Sequence, residues 1–251
     1  SLIPFRLITF GLAWGIIALY VFLPTQMASV FGELTGQHPL FYLAVYAPAI
    51  AALTLVLMRK GRSGARRFLG RLLLWRTSCA WYAFLLVGIP LLFYAGALWK
   101  GLSPNELVPV SAVGAYLVAL ALHAIKGPVE EIGWRGFVLP LLQRRMSPLA
   151  AGLVIGIIWG VWHLPAFLLS GTPQSGWSFA DFFVGTIALS LIATALFNAS
   201  KGSILLPALF HLQVNNPLWP DAQPYDTIPF VAAALAVVWV NRDSMLRKDG
   251  G

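Results

Sequence analysis

Charged side chains are scarce in this sequence. Asp, Glu, Lys and Arg make up 10% of its 251 residues, against roughly 25% in an ordinary soluble domain. The surface of a soluble fold of this length requires more polar side chains, so the composition excludes an ordinary water-soluble globular protein. Cysteine is nearly absent as well. Cys79 is the only one in the sequence, so an internal disulfide is excluded.

Apolar residues are abundant and occur in long blocks. They make up 59% of the chain, and a helix needs about 20 of them in succession to cross the hydrocarbon core of a bilayer. The apolar segments are 7–30, 39–58, 78–99, 110–126 (continuing as a helix to about 145), 149–170, 180–200, 203–217 and 228–241. We predict an all-α, polytopic integral membrane protein of one domain, 1–251, in which about eight transmembrane helices enclose an intramembrane cavity. The first block is interpreted as a span rather than a cleaved signal peptide, because seven more follow it.

Basic residues sit mainly in short loops between these blocks. The loop from Arg59 to Arg76 holds seven of them, and loops rich in Lys and Arg are typically cytoplasmic. Alternation then puts fourteen basic residues inside and only Lys100 outside. The predicted outside loops carry Glu33, Glu106, Asp221 and Asp226. Both termini are therefore predicted to be cytoplasmic, in a bacterial inner membrane rather than the endoplasmic reticulum. The lipid bilayer, and not a nucleic acid, is the partner that this pattern indicates.

Ionisable side chains inside membrane spans are costly and usually mark function. In this chain they are confined to the fourth to seventh apolar segments. They are Glu130, Glu131, Arg135, His163 and His211, and Asn215 is a polar companion. Any chemistry is therefore expected in the C-terminal two thirds of the chain.

The fourth segment divides its two carboxylates between two roles. Gly127-Pro128 should interrupt the helix just before them. Glu131 and Arg135 are four residues apart, so they can form an ion pair on one face. Glu130 points about 100° away from Glu131, which leaves it free for chemistry.

The fifth and seventh segments each place two side chains on one helix face. Trp159 and His163 are four residues apart, and so are His211 and Asn215. With Glu130 these groups suit hydrolysis of an amide bond. Glu130 would act as the general base while His163 holds the water, and His211 and Asn215 would donate hydrogen bonds to the oxyanion.

Zinc is an alternative for the same residues. Two histidines and a glutamate form a known catalytic zinc set, and Glu130, His163 and His211 could supply it from separate helices. The sequence contains no HExxH motif. The metal-dependent and the metal-free mechanisms both remain open at this point.

Three short motifs resemble those of the CPBP family, which comprises CAAX proteases and bacteriocin-processing enzymes and is also called the Abi family. Residues 130–135 (EEIGWR) match its EExxxR motif, and residues 211–215 (HLQVN) match its HxxxN motif. Residues 159–163 (WGVWH) stand in the place of its FxxxH motif, with Trp159 where the family usually has Phe. The resemblance covers about residues 110–217.

The resemblance implies an eight-helix membrane endopeptidase whose cavity is open to the membrane and the cytoplasm. It implies that Glu130 and His163 activate water and that His211 and Asn215 form the oxyanion site. Glu131, Arg135 and Trp159, the remaining motif positions, would support these four residues. The substrate would be a protein or peptide, prenylated in eukaryotic members, whereas bacterial relatives are associated with bacteriocin immunity and peptide processing.

Two other functions are alternatives to a protease. A proton- or ion-coupled transporter would use the buried Glu and His as a relay. Such transporters often carry an inverted repeat with matching broken helices, and only one break, at Gly127-Pro128, is evident here. A non-catalytic scaffold or immunity protein would keep the polar cluster for its fold alone.

Overall fold

The computed structural model describes residues 2–103, 113–169 and 172–248. All regular structure in these ranges is helical. We number the helices α1 (Leu2–Phe22), α2 (Pro24–Phe31), α3 (Pro39–Val45), α4 (Ala47–Leu69), α5 (Cys79–Lys100), α6 (Val113–Ala124), α7 (130–143), α8 (Pro148–Trp162), α9 (Phe179–Ala199), α10 (Leu205–Val214), α11 (Thr227–Val240) and α12 (Arg242–Leu246). Short 3₁₀ turns at Gly70–Leu73, Gly127–Val129, Leu164–Leu168 and Pro173–Gly176 connect some of them.

Four helices in the described ranges are long and apolar enough to cross a membrane. They are α1, α5, α8 with the turn that follows it, and α9. The pair α3 and α4, bent by 57°, makes a fifth if it is counted as one span. The all-α, polytopic membrane class is therefore confirmed.

The predicted number of eight spans is not confirmed. Helices α10 and α11 are apolar but have only 10 and 14 residues, so at 1.5 Å per residue they are about 15 and 21 Å long. Helix α6 has 12 residues, and the first residues of its predicted segment, 110–112, lie outside the described ranges, as does Glu106. Helix α10 ends at Val214 because the chain turns at Asn215 ahead of Pro217.

The fourth segment breaks where the sequence predicts. Pro128 lies in the 3₁₀ turn Gly127–Val129, and α7 begins at Glu130. Helix α7 also contains a π turn at Trp134–Val138, a feature frequent at functional sites. Gly133 lets α7 approach α4 closely, since a Cβ there would lie 2.5 Å from the Pro48 carbonyl oxygen.

Helices α8 and α9 form the most closely packed pair. Gly152, Gly156 and Gly160 of α8 all face α9, where a side chain would collide with residues of that helix. Small residues at four-residue spacing permit this approach in membranes. Ser190 Oγ also donates to the Gly152 carbonyl at 2.8 Å. The pair therefore holds the C-terminal end of α8, where His163 follows, in a fixed place.

The two ends of the helix bundle differ in charge. One end carries loop 59–76, residues 143–147 and 200–204, and the C-terminal segment 241–248; we call it the basic face. Arg71 joins its loops there, since Nη1 donates to the Gly136 carbonyl and Nε to the Gly202 carbonyl, both at 2.8 Å. The other end, which we call the opposite face, carries residues 32–38, 172–178 and 215–226. Thirteen of the fourteen basic residues that the sequence assigns to one side lie in the segments of the basic face, and the fourteenth, Arg6, lies in α1.

Candidate active site

All the predicted catalytic residues line one cavity of about 580 Å³. They come from the start of α7, the end of α8 and the end of α10. They are Glu130, His163, His211 and Asn215, and Trp159 lines the same cavity. Glu131 and Arg135 are buried behind its wall. Residues separated by up to 85 positions in the sequence thus line one cavity.

Glu130 is held by a single strong hydrogen bond. Its side chain is buried, and Oε2 accepts from the indole Nε1 of Trp159 at 2.8 Å. No other hydrogen bond to this carboxylate is made by the described residues. One carboxylate oxygen therefore stays available to a ligand in the cavity.

Trp159 connects the site more extensively than the sequence indicated. Its ring centroid lies 5.6 Å from that of His163 and 5.3 Å from that of His211. The guanidinium carbon of Arg135 lies 4.9 Å from the same ring, a cation–π arrangement that compensates part of the cost of burying the charge. The indole N–H that binds Glu130 is a donor that phenylalanine lacks, so the departure from FxxxH has a structural consequence.

His163 presents an acceptor to the cavity. Its Nδ1 lies 2.8 Å from the Trp159 carbonyl oxygen. Because a carbonyl oxygen can only accept, Nδ1 must carry a proton, and Nε2 of the neutral ring is then an acceptor. Nε2 has no hydrogen-bond partner among residues 2–103, 113–169 and 172–248. The edge contact with Phe182, at 5.1 Å between centroids, fixes the plane of the ring.

Glu131 joins Arg135 to His211. The predicted Glu131–Arg135 ion pair is present, with Nη1 at 3.1 Å from each carboxylate oxygen. Glu131 Oε1 also lies 2.8 Å from Nδ1 of His211, a contact that the sequence did not indicate. Because Nδ1 faces a carboxylate, it is the donor of that bond. Nε2 of His211 is left to face the cavity.

Gly127 brings His211 and Asn215 together. A Cβ on Gly127 would lie 2.9 Å from His211 Nε2 and even closer to Asn215 Nδ2. Both nitrogens therefore converge on the Cα of Gly127, as the i,i+4 spacing predicted for their shared face. The amide of Asn215 makes no side-chain hydrogen bond to the described part of the chain. Sequence reasoning had treated Gly127 only as a helix breaker.

The zinc alternative assigns the metal to Glu130, His163 and His211. Among the described residues, no group of three or more His, Cys, Asp or Glu side chains has an arrangement that could hold a metal ion. Glu130, His163 and His211 each bind a different protein group, namely Trp159 Nε1, the Trp159 carbonyl and Glu131.

The cavity extends to the loops of the opposite face, and we call this end its mouth. Lys126, Gln174 and Asp226 line it. Burial, with a smaller contribution from the Asp221 carboxylate, raises the pKa of the Asp226 carboxyl to about 6. The family resemblance implies a cavity open to the cytoplasm, whereas the charge pattern predicts a cytoplasmic basic face. Because the mouth and the basic face are at opposite ends, these two expectations cannot both be correct.

Two comparisons with known proteins agree with the motifs. A family model described as type II CAAX prenyl endopeptidase, Rce1-like, matches residues 111–216. CAAX prenyl protease 2 of Methanococcus maripaludis is 30% identical over 106 residues, which are 40% of this chain and 39% of that relative. The chain thus matches about two fifths of the length of this curated relative. These findings confirm the resemblance carried by the EExxxR, FxxxH and HxxxN positions.

Proposed function

We propose, from the match of residues 111–216 to a type II CAAX prenyl endopeptidase family model and from the similarity to CAAX prenyl protease 2, that this chain is an intramembrane endopeptidase of the CAAX type. One observation carries the proposal. The cavity presents two acceptors, Glu130 and Nε2 of His163, together with two nitrogens that converge beside Gly127. Hydrolysis of an amide requires these two kinds of group, acceptors for water and donors for an oxyanion. The substrate is a protein or peptide in or near the membrane.

The proposed reaction begins with a water between Glu130 and His163. The water donates one hydrogen to the free oxygen of Glu130 and one to Nε2 of His163, so that a lone pair points at the scissile carbonyl. As the water oxygen bonds to the carbonyl carbon, its proton passes to Glu130. Glu130 then gives that proton to the leaving amine as the C–N bond breaks. Atoms and charges balance without a covalent enzyme intermediate.

The oxyanion would accept from Asn215 Nδ2 and His211 Nε2. Since Nδ1 of His211 already donates to Glu131, Nε2 can donate only when the ring carries both protons. The Glu131 carboxylate accepts from Nδ1 and so fixes the orientation of the ring. We therefore assign Glu131 and Arg135 the positioning of His211, and they do not touch the substrate.

Peptide cleavage by the purified protein tests this function. Prenylated and unprenylated peptides that end in a CAAX sequence are incubated with the protein in liposomes, and mass spectrometry identifies the products. Parallel samples contain a zinc chelator, because the metal-dependent alternative predicts a loss of activity there. Empty liposomes are the control. Binding of these peptides without any cleavage would instead favour the non-catalytic scaffold.

We also propose that both termini are cytoplasmic and that the cavity opens on the other side of the membrane. The uneven distribution of fourteen basic residues supports this orientation. In a Cys79→Ser background, Ser63→Cys lies in the basic face and Ser175→Cys beside the cavity mouth, and both positions are exposed. A membrane-impermeant maleimide applied to intact cells should label only Ser175→Cys. Labelling of only Ser63→Cys would reverse the orientation and support a cytoplasmic opening.

Replacing Trp159 by Phe should slow hydrolysis without weakening substrate binding. The variant keeps an aromatic ring but loses the N–H that orients Glu130. A hydrogen bond to a charged group contributes about 1.5–3 kcal/mol, so kcat should fall roughly tenfold to a hundredfold while KM stays unchanged.

Trp162→Phe is the matched control for Trp159→Phe. Trp162 is also buried, contacts the His163 ring and lies in the same helix, but its indole Nε1 has no hydrogen-bond partner. The kcat of Trp162→Phe should remain close to that of wild type. Equal losses in the two variants would show that ring shape, and not the bond to Glu130, is what the site requires.

A further inference from the structure

Lys126 is a cation in the cavity wall with unused hydrogen-bonding capacity. It is half-buried and lines the cavity one residue before Gly127. Its ammonium carries three donors, yet the described chain offers it only the Gly36 carbonyl oxygen, at the long distance of 3.4 Å. No carboxylate in the described ranges lies within 4.0 Å of it, since the ion pairs found there involve other cations.

Aromatic rings hold the ammonium in place. Nζ lies 5.7 Å from the ring centroid of Phe41 and 5.9 Å from that of Tyr42. The Tyr46 hydroxyl donates to the carbonyl of Ile125 and so anchors the backbone just before the lysine. The side chain is therefore fixed by contacts that leave its N–H groups free. An anion entering the cavity would supply the acceptors that the protein does not.

The charges around the cavity mouth are distributed unevenly. Asp221 and Asp226 line the part of the wall that leads into α11, and a Cβ on Gly96 of α5 would touch Asp226. Lys126 lies on the other side, against the 32–38 loop and α3. An anionic group is thus repelled from the α11 side and attracted to Lys126.

We propose that Lys126 binds the C-terminal carboxylate of the substrate and so selects peptides with a free C-terminus. This inference rests on the proposed peptidase function. The Cα atoms of Lys126 and Gly127 are about 3.8 Å apart, and the converging nitrogens of His211 and Asn215 lie beside Gly127. Because Lys126 and Gly127 are adjacent in the chain, a scissile carbonyl beside Gly127 and a carboxylate at Lys126 can belong to one short C-terminal segment of the substrate.

Paired peptides that differ only at the C-terminus test the proposal. One ends in a free carboxylate and the other in a carboxamide, and both are given to wild type, Lys126→Met and Lys126→Arg. Wild type should favour the acid through a KM that is about tenfold to a hundredfold lower, as expected for a charge-assisted hydrogen bond. Lys126→Met should lose this preference because its KM rises for the peptide with the free carboxylate and not for the carboxamide. Lys126→Arg, which keeps the charge, should retain most of it.

Lys100→Met is the control. Lys100 is an exposed lysine at the end of α5 that donates to the Asp221 carbonyl and does not line the cavity, so the acid preference of Lys100→Met should equal that of wild type. An unchanged preference in Lys126→Met, or none in wild type, would overturn the proposal. If Lys126→Met instead loses binding of phosphatidylglycerol vesicles and keeps the acid preference, the anion is a lipid phosphate and the proposal is also wrong.

A binding measurement separates this inference from the peptidase function. Fluorescence anisotropy of the labelled acid and amide peptides on wild type and Lys126→Met does not depend on turnover. Acid-selective binding that requires Lys126, without any cleavage, would contradict the peptidase and leave the carboxylate site standing. Cleavage of both peptides with equal affinity would contradict the site and leave the peptidase standing.

Discussion

Glu130→Gln should reduce kcat for peptide hydrolysis by about 10²- to 10⁴-fold, the range that general acid–base catalysis contributes. The amide retains an oxygen that can accept from Trp159 Nε1, so the hydrogen bond that orients the side chain can persist. It cannot take a proton from water or return one to the leaving amine. KM should change little, because the substrate contacts proposed for Lys126, His211 and Asn215 are untouched. Steady-state kinetics on the cleaved peptide give both constants.

The matched control is Glu33→Gln, which makes the same chemical change at an exposed position outside the cavity. It should have wild-type kinetics. Thermal unfolding in the same liposomes should show equal midpoints for wild type and both variants, because Glu130 makes no ion pair within the described residues. Cleavage at the wild-type rate by Glu130→Gln would remove Glu130 from the mechanism and with it the proposed role of His163 in holding the water.

Local spacing accounts for the parts of the site that the sequence predicted correctly. Glu131 and Arg135 are one helical turn apart, so their ion pair follows from the geometry of any helix. The same argument places His211, in the last turn of α10, and Asn215, the residue that follows the helix, on one side. The π turn at Trp134–Val138 overlaps the Glu131–Arg135 spacing without breaking the pair. Contacts of this kind are encoded within a few residues.

Contacts between distant segments could not be predicted in the same way. The bond from His211 to Glu131 joins residues 80 positions apart, and it depends on how α10 packs against α7. The hydrogen bond from Trp159 to Glu130 depends on a side-chain rotamer, and hydrophobic periodicity does not predict rotamers. The sequence has no signal for the site at Lys126, because the aromatic neighbours Phe41 and Tyr42 belong to another helix.

The number of membrane spans could not be predicted from hydropathy for a similar reason. Hydropathy marked 203–217 as a span, yet α10 covers only Leu205–Val214. Apolar composition reports burial in lipid or in protein without distinguishing them, and Leu206 and Phe210 of α10 are buried in the protein core. A segment buried by its neighbours need not cross the bilayer. The count of spans therefore requires the packing and cannot be read from hydropathy alone.

Gly127→Ala should reduce kcat by about 10²- to 10³-fold, the usual cost of removing one oxyanion donor. The new methyl group would lie 2.9 Å from His211 Nε2 and closer to Asn215 Nδ2, so one or both donors must move away from the oxyanion position. The backbone itself accepts alanine, since Gly127 is not among the glycines with positive φ. The effect therefore measures the position of the two nitrogens and not backbone strain.

Gly114→Ala is the control for this change. Gly114 lies in the preceding helix α6, and a Cβ there would meet nothing within 4 Å. Alanine is favoured over glycine in a helix by up to about 1 kcal/mol, so this variant should be fully active and at least as stable as wild type. If Gly127→Ala retains wild-type kcat, His211 and Asn215 do not stabilise the oxyanion from beside Gly127. Asn215→Ala should reduce kcat by a similar factor. If the double variant has a kcat no lower than either single variant, both changes remove the same interaction.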